Sequence, residues 1–218
     1  MNFPGSRFPK PQQSQIDAIF KTYKPQRILE VGSYEGLSTT NYANMALSNS
    51  NESIELTCID TWEGGQEHIK EGVDMKSVET IFDRNMVSLN AAHKNRIFIR
   101  KIKNNSTNAL AMLYANREKY FDLVLIDAGH KAQEVLGDMV FSWPLLKPGG
   151  ILIADDYLWR DQNSSDILDY PKIGIDSFIN SYYKELVVLS NAPLQQIYIY
   201  KKDPTFPKNG FNCVFAPI

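Results

Sequence analysis

The chain has 218 residues but only two cysteines, Cys58 and Cys213, and three histidines. Two thiols are too few for a disulfide framework and suit a reducing compartment, so a cytoplasmic location is expected. Neither sign of charge is in excess: 23 Lys+Arg stand against 25 Asp+Glu, a net charge of −2. A nucleic-acid-coating protein needs a concentrated basic face, so no nucleic-acid partner is expected. No apolar run approaches the roughly 18 residues that suggest a membrane span. The start, Met1-Asn2-Phe3-Pro4-Gly5, has no apolar stretch of signal-peptide length. Repeats, low-complexity tracts and linkers are missing too, so a single domain over 1–218 is expected.

What is present is an alternation of short apolar runs with helical patterns. The first dozen residues, with Pro4, Pro9 and Pro11, read as an extended arm. Ile16, Ile19, Phe20 and Tyr23 then fall at helical spacing until Pro25 stops them, giving an arm and helix over 1–26. Strands are predicted at 27–31, 54–59, 96–102, 121–126 and 150–154. Helices are predicted at 37–47, 78–92, 108–117 and 133–146. Continuous apolar strands between helices indicate a parallel sheet covered on both faces. Segments 186–189 and 196–201 are separated by a few residues, with Asn191 and Pro193 marking a turn, so they should pair as a hairpin. The expected fold is α/β: a doubly wound, Rossmann-like, seven-stranded sheet, mostly parallel, with an antiparallel C-terminal hairpin strand.

In such sheets ligands bind beyond the carboxyl ends of the strands. Strand one ends in Glu30-Val31-Gly32-Ser33-Tyr34-Glu35-Gly36-Leu37-Ser38, a glycine turn that leads into a helix N-terminus. Its spacing lacks the G-x-G-x-x-G of nicotinamide and flavin binders, which makes a dehydrogenase the weakest alternative. Asp60 ends strand two, 28 positions beyond Gly32, where an acid can accept both hydroxyls of a ribose or cap the following segment. Trp62 could cover an adenine face or lie in the core. After strand three, Ser106 is a candidate N-cap whose backbone or hydroxyl could also meet a base edge. Strand four ends in Asp127-Ala128-Gly129-His130 and strand five in Asp155-Asp156-Tyr157. Carboxylates crowded at one rim repel one another unless a cation or proton compensates, and hard oxygen ligands suit Mg²⁺, Mn²⁺ or Ca²⁺. The alternative is that one or two of them cap loops or bind water.

From Ile28 to Tyr157, and again in the terminal hairpin, these motifs resemble the class I S-adenosylmethionine-dependent methyltransferases. The resemblance rests on the glycine turn, on Asp60, on Phe121-Asp122-Leu123-Val124-Leu125-Ile126-Asp127, and on Leu145-Leu146-Lys147-Pro148-Gly149-Gly150. It implies that S-adenosylmethionine is held by Glu30, Gly32, Ser33, Tyr34, Gly36, Ser38, Asp60, Thr61, Trp62, Asn105, Ser106, Asp127 and Ala128. Around Asp127 and Asp155 the chain is similar to small-molecule O-methyltransferases that use a divalent cation, of the catechol and macrolide-sugar types. That implies a metal, Mg²⁺ first, on Asp127, Asp155 and Asp156, with a small-molecule hydroxyl as substrate. The catechol type usually has Asn where this chain has Asp156. It also carries a catalytic lysine three residues after the strand-four Asp, where this chain has His130. An imidazole accepts a hydroxyl proton at neutral pH, so His130, with Asp127, is the catalytic expectation.

Two loops are candidates for the substrate side: a lid-like insertion plus helix at 61–95, containing His68, and a polar loop at 157–172 with Trp159 and Arg160. Two alternatives stay open. One is a metal-independent transferase using His130; the other is a cofactor-binding interaction module without chemistry. A homodimer is also left open by the arm and the aromatic content.

Overall fold

The computed structural model describes residues 10–116, 121–161, 164–189 and 195–204. Its sheet is built from β1 (Arg27–Val31), β2 (Ile54–Asp60), β3 (Ile97–Lys103), β4 (Phe121–Ile126), β5 (Leu146–Ala154), β6 (Leu186–Val188) and β7 (Ile197–Lys201). The strand order is β3-β2-β1-β4-β5-β7-β6. The first five strands run parallel. β7 runs antiparallel to both β5 and β6, so the α/β sheet with a terminal hairpin is as expected. The turn residues Asn191 and Pro193 lie outside the described residues.

Alternation along each strand explains the two apolar layers. Ile28, Leu56, Leu123 and Ile151 point to one face, where α1 (Lys10–Tyr23), α2 (Leu37–Asn49) and α4 (Met75–Ala92) cover them. Leu29, Val124 and Leu152 point to the other, under α5 (Ser106–Ala115), α6 (Ala132–Ser142) and α7 (Pro171–Tyr182). A short helix, α3 (Gln66–Lys70), lies between β2 and α4. Of the lid-like stretch 61–95, the second half is therefore core: Val78, Phe82, Met86 and Leu89 of α4 are buried. Only 61–74 remains as a candidate lid. Strand order reverses between β1 and β4, and a crevice at their carboxyl ends follows from that topology.

Many boundaries shift by one to three residues from the sequence expectation, and two differences have a clear physical cause. Helix α1 begins at Lys10, inside the expected arm, because Pro11 falls in the first turn, where its missing N–H costs nothing. The expected helix 133–146 ends at Ser142; a 3₁₀ turn follows, and β5 starts at Leu146, four residues early. Trp143, Leu145 and Leu146 are buried in either reading, and a short apolar run has no period that separates helix from strand. Pro148 is tolerated in β5 because the β4–β5 register shifts between Phe121 and Leu123.

Candidate functional site

Three backbone hydrogen bonds align the strand ends side by side. Gly32 N donates to Ile59 O at 2.8 Å, Asp127 N to Val31 O at 2.8 Å, and Asp155 N to Ile126 O at 2.9 Å. They bring Asp60, the glycine turn, Asp127 and Asp155 to one edge of the sheet. Gly32 has φ +90, and a Cβ there would overlap the Asp127 carbonyl oxygen. Gly36, the residue before α2, has φ +79, and a Cβ would press on Met86 and Phe82. Both positions require glycine: the backbone takes a left-handed turn with no room for a side chain.

Asp60 organises this turn. Its Oδ2 accepts the amides of Ser33 (3.0 Å) and Tyr34 (2.8 Å), and its Oδ1 accepts the amide of Trp62 (2.7 Å). A carboxylate offers about four acceptor positions, so roughly one remains. Asp60 can take one ribose hydroxyl, where its sequence position suggested two. Trp62 is only 3 % exposed: its ring packs on Phe82 and its Nε1 donates to Tyr34 O at 2.9 Å. The core reading of Trp62 holds, and the indole acts on the turn from behind. Lys101 lies over its ring, 4.5 Å from the centroid, and is held by Glu79 and Asp83. Thr61 uses its hydroxyl to accept the Glu63 amide at 3.1 Å.

Glu30 lies beneath the turn, 2 % exposed. Thr39 donates its hydroxyl to Oε2, whereas Oε1 and the buried Ser33 hydroxyl make no well-formed hydrogen bond. Burial pushes the Glu30 carboxyl up to about 7, with the Thr39 bond pulling the other way. Unpaired buried polar atoms are rare. Beside a glycine turn and the start of α2, which carries Ser38 as its second residue and favours an anionic group, they fit a polar cofactor that carries a carboxylate. Ser106 is not the cap of α5: Asn105 is, its side chain accepting the Asn108 amide at 2.8 Å. Ser106 opens the helix and donates to Asp138 of α6, a buried acid that burial pushes up to about 7. Asp138 was not singled out from sequence; its signal is an acid on the buried stripe of α6 beside Val135, Met139 and Ser142.

The second half of the site gathers at β4 and β5. Asp127 and Ala128, both half-buried, follow β4 at the strand ends. Burial, then the charges of Asp155 and Asp156, push the Asp127 carboxyl well above the usual range. Asp155 is raised to about 6, first by burial and then by Asp156. The predicted carboxylate cluster therefore exists as a mutually repelling group. Its oxygens do not converge, however. Asp155 Oδ2 accepts from Gln196 at 2.7 Å, its Oδ1 accepts the Asp156 amide at 2.8 Å, and Asp156 Oδ2 lies 3.1 Å from His130 Nε2. Among the described residues no three His, Cys, Asp or Glu side chains are disposed to hold a metal ion. A cation at Asp155 and Asp156 would have to displace Gln196, the Asp156 amide and His130 from their oxygens.

Behind Asp155, Gln196 continues to Tyr198, whose hydroxyl donates to Gln196 Oε1 at 2.6 Å. Both residues are buried and come from β7 or the residue before it, a strand that sequence alone could not place against β5. His68 of α3 stacks on Tyr34 with 5.1 Å between centroids. Lys70 of the same helix pairs with Asp161 of the substrate-side loop at 3.9 Å. The two candidate substrate loops thus meet. No described helix is long and apolar enough to cross a membrane.

The sequence profile described as "Methyltransferase domain" matches residues 29–157. No curated protein matches the chain. Solved structures with a similar fold include an O-methyltransferase from Bacillus cereus in complex with S-adenosylhomocysteine. It is 19% identical, with a TM-score of 0.58 over 91% of this chain and 84% of that one. The O-methyltransferase TomG of tomaymycin synthesis from Streptomyces achromogenes, in complex with S-adenosylmethionine, gives 16%, 0.61, 92% and 84%. The S-adenosylhomocysteine-bound methyltransferase PaMTH1 from Podospora anserina gives 19%, 0.57, 92% and 80%. The profile spans well over half of the chain, from β1 through the carboxylates that end β5, and the chain belongs to the methyltransferase domain family.

Proposed function

We propose that the chain is a cytoplasmic S-adenosylmethionine-dependent O-methyltransferase acting on a hydroxyl of a small molecule, with His130 as the proton acceptor. The observation that carries this reading is the His130–Asp156 contact at 3.1 Å, between the ends of β4 and β5, with Asp127 on the same β4 end and the glycine turn on neighbouring β1. The cofactor, when bound, supplies a methyl group already activated on a sulfonium. The chain's work is then to position the acceptor and remove its proton. A carboxylate only accepts, so Nε2 of His130 donates to Asp156, and Nδ1 is the nitrogen that takes the proton in this reading. The hydroxyl proton passes to Nδ1. Glu30, the turn and Asp60 bind and orient the cofactor.

A divalent cation, implied by the family resemblance, is a second reading. The crowding of Asp127, Asp155 and Asp156 favours it, because a cation would relieve their repulsion. It requires Asp155 to release Gln196 and Asp156 to release His130. The test incubates the chain with S-adenosylmethionine and a panel of ring and sugar hydroxyl acceptors, with mass spectrometry of the products. Methylated product that persists in EDTA and disappears in His130→Ala supports His130 as base. Loss in EDTA, restored by Mg²⁺, supports the cation. Cofactor binding by calorimetry with no product over the whole panel overturns the enzymatic reading.

A further inference from the structure

We propose that Trp159 is a positioning residue for methyl transfer: its indole holds the His130 imidazole face to face while Asp156 holds it at the ring edge. The inference rests on the reading of His130 as the proton acceptor. The two rings stack with 4.1 Å between centroids and 21° between planes, the shortest centroid separation among the described ring pairs. Trp62 and Trp143 are 3 % exposed and belong to the apolar cores; Trp159 is half-buried and belongs to neither. Its place over the imidazole is therefore set by the backbone around it.

That backbone is anchored on both sides of the strand end. Asp156 has φ +58, a left-handed conformation uncommon for a side-chain-bearing residue, and its amide is held by Asp155 Oδ1. The turn that results lets Trp159 N donate to Asp156 O at 2.8 Å. Tyr157, between them, donates its amide to Gln195 O at 2.8 Å. Its hydroxyl donates to Asp176 at 2.9 Å and accepts from Lys172 at 2.8 Å, both on α7. One short segment thus presents two side chains, Asp156 and Trp159, to the same imidazole from perpendicular directions. Without the stack the imidazole can swing about its own side-chain bonds away from Oδ2, which loosens the Nε2 contact and mixes the ring's tautomers. The face contact removes that freedom, because the stacked rings hold each other's planes. Orientation of a base matters because proton transfer requires heavy atoms at hydrogen-bond distance and aligned.

The experiment has two readouts on the full chain. Long-range ¹H–¹⁵N spectra of the imidazoles, with the His130 signals assigned by their loss in His130→Gln, report the ring's tautomer. A single-tautomer pattern is expected in the native chain and in Trp159→Phe, and an averaged pattern in Trp159→Ala. An unchanged pattern in Trp159→Ala overturns the proposal. In the acceptor assay, Trp159→Ala is expected to lower kcat about tenfold with KM within twofold. Trp159→Phe should recover most of the loss, and the Trp159→Ala/His130→Ala double variant should be no slower than His130→Ala. A raised KM with kcat kept, or additive losses in the double variant, overturns the proposal. If His130→Ala keeps full activity, the base assignment fails even where the tautomer contrast survives, so the two failures are distinguishable.

Discussion

The two ends of this sheet are built from the same strands and treat charge in opposite ways. At the amino ends, Asp122 Oδ2 accepts the amides of Gln26 and Arg27, each at 2.8 Å, while its other oxygen pairs with Lys147 at 2.5 Å. Arg27 meets Glu55 at 3.6 Å, and Lys201 donates to the carbonyls of Trp143 and Leu146. At the carboxyl ends, Glu30, Asp127 and Asp155 are buried or crowded with other acids, and all three are pushed upward. A hollow of about 290 Å³ does exist at the amino ends, lined by Arg27, Glu55, Thr57, Phe98, Arg100 and Phe121. Its acids and bases are paired or exposed. Concavity alone does not mark the site; uncompensated charge beside a cofactor turn does, because perturbed titration follows functional placement more closely than volume.

The comparison breaks most visibly through His130. His130→Ala should lower turnover by about 100- to 10,000-fold, the usual contribution of a positioned acid–base group, with a melting temperature close to native. A variant as active as the native chain would remove the functional distinction between the two ends. Asp122→Ala should do the reverse. It strands two backbone amides and Lys147, at a cost of about 1–3 kcal/mol in urea unfolding, with turnover per folded molecule unchanged.

Glu30→Gln sharpens the contrast through pH. The folded Glu30 carboxyl is near 7, above its ordinary 4.5, so the folded state holds this proton more tightly than the unfolded one. Its contribution is intact below about 4.5 and is lost as pH rises through about 7. The melting temperature of Glu30→Gln relative to native should therefore climb from pH 4.5 to pH 8; a constant difference would mean Glu30 is not destabilised by burial. The smallest effect belongs to Phe98, 63 % exposed at the hollow's mouth. Phe98→Ser should shift stability by no more than about 0.5 kcal/mol and leave turnover alone. A larger loss would show that the amino end is covered in solution.

Much of this was legible in the residues. The apolar runs and glycine turn give seven strands and their order of appearance, and the acids at strand ends follow from position alone. Other features were not legible because the sequence carries no signal for them. Ser106 and Asn105 are equally good caps by type, and only backbone geometry selects Asn105. Asp60 looks like a free ribose acid until three loop amides are seen on it. Trp62 and Trp159 are the same residue type in two loops, one buried in the core and one stacked on an imidazole.

By itself the sequence determined the layered α/β architecture, since two-faced apolar strands between amphipathic helices have few other ways to bury their surface. It also determined which acids end which strands. Tertiary structure decided the partner of each. Asp156 and His130 are 26 residues apart and meet because β4 and β5 are neighbours and Asp156 turns left-handed. Gln196 reaches Asp155 because β7 runs back antiparallel along β5. Hydrogen bonds of a few ångströms between distant residues depend on register and turn geometry, which composition and periodicity do not encode.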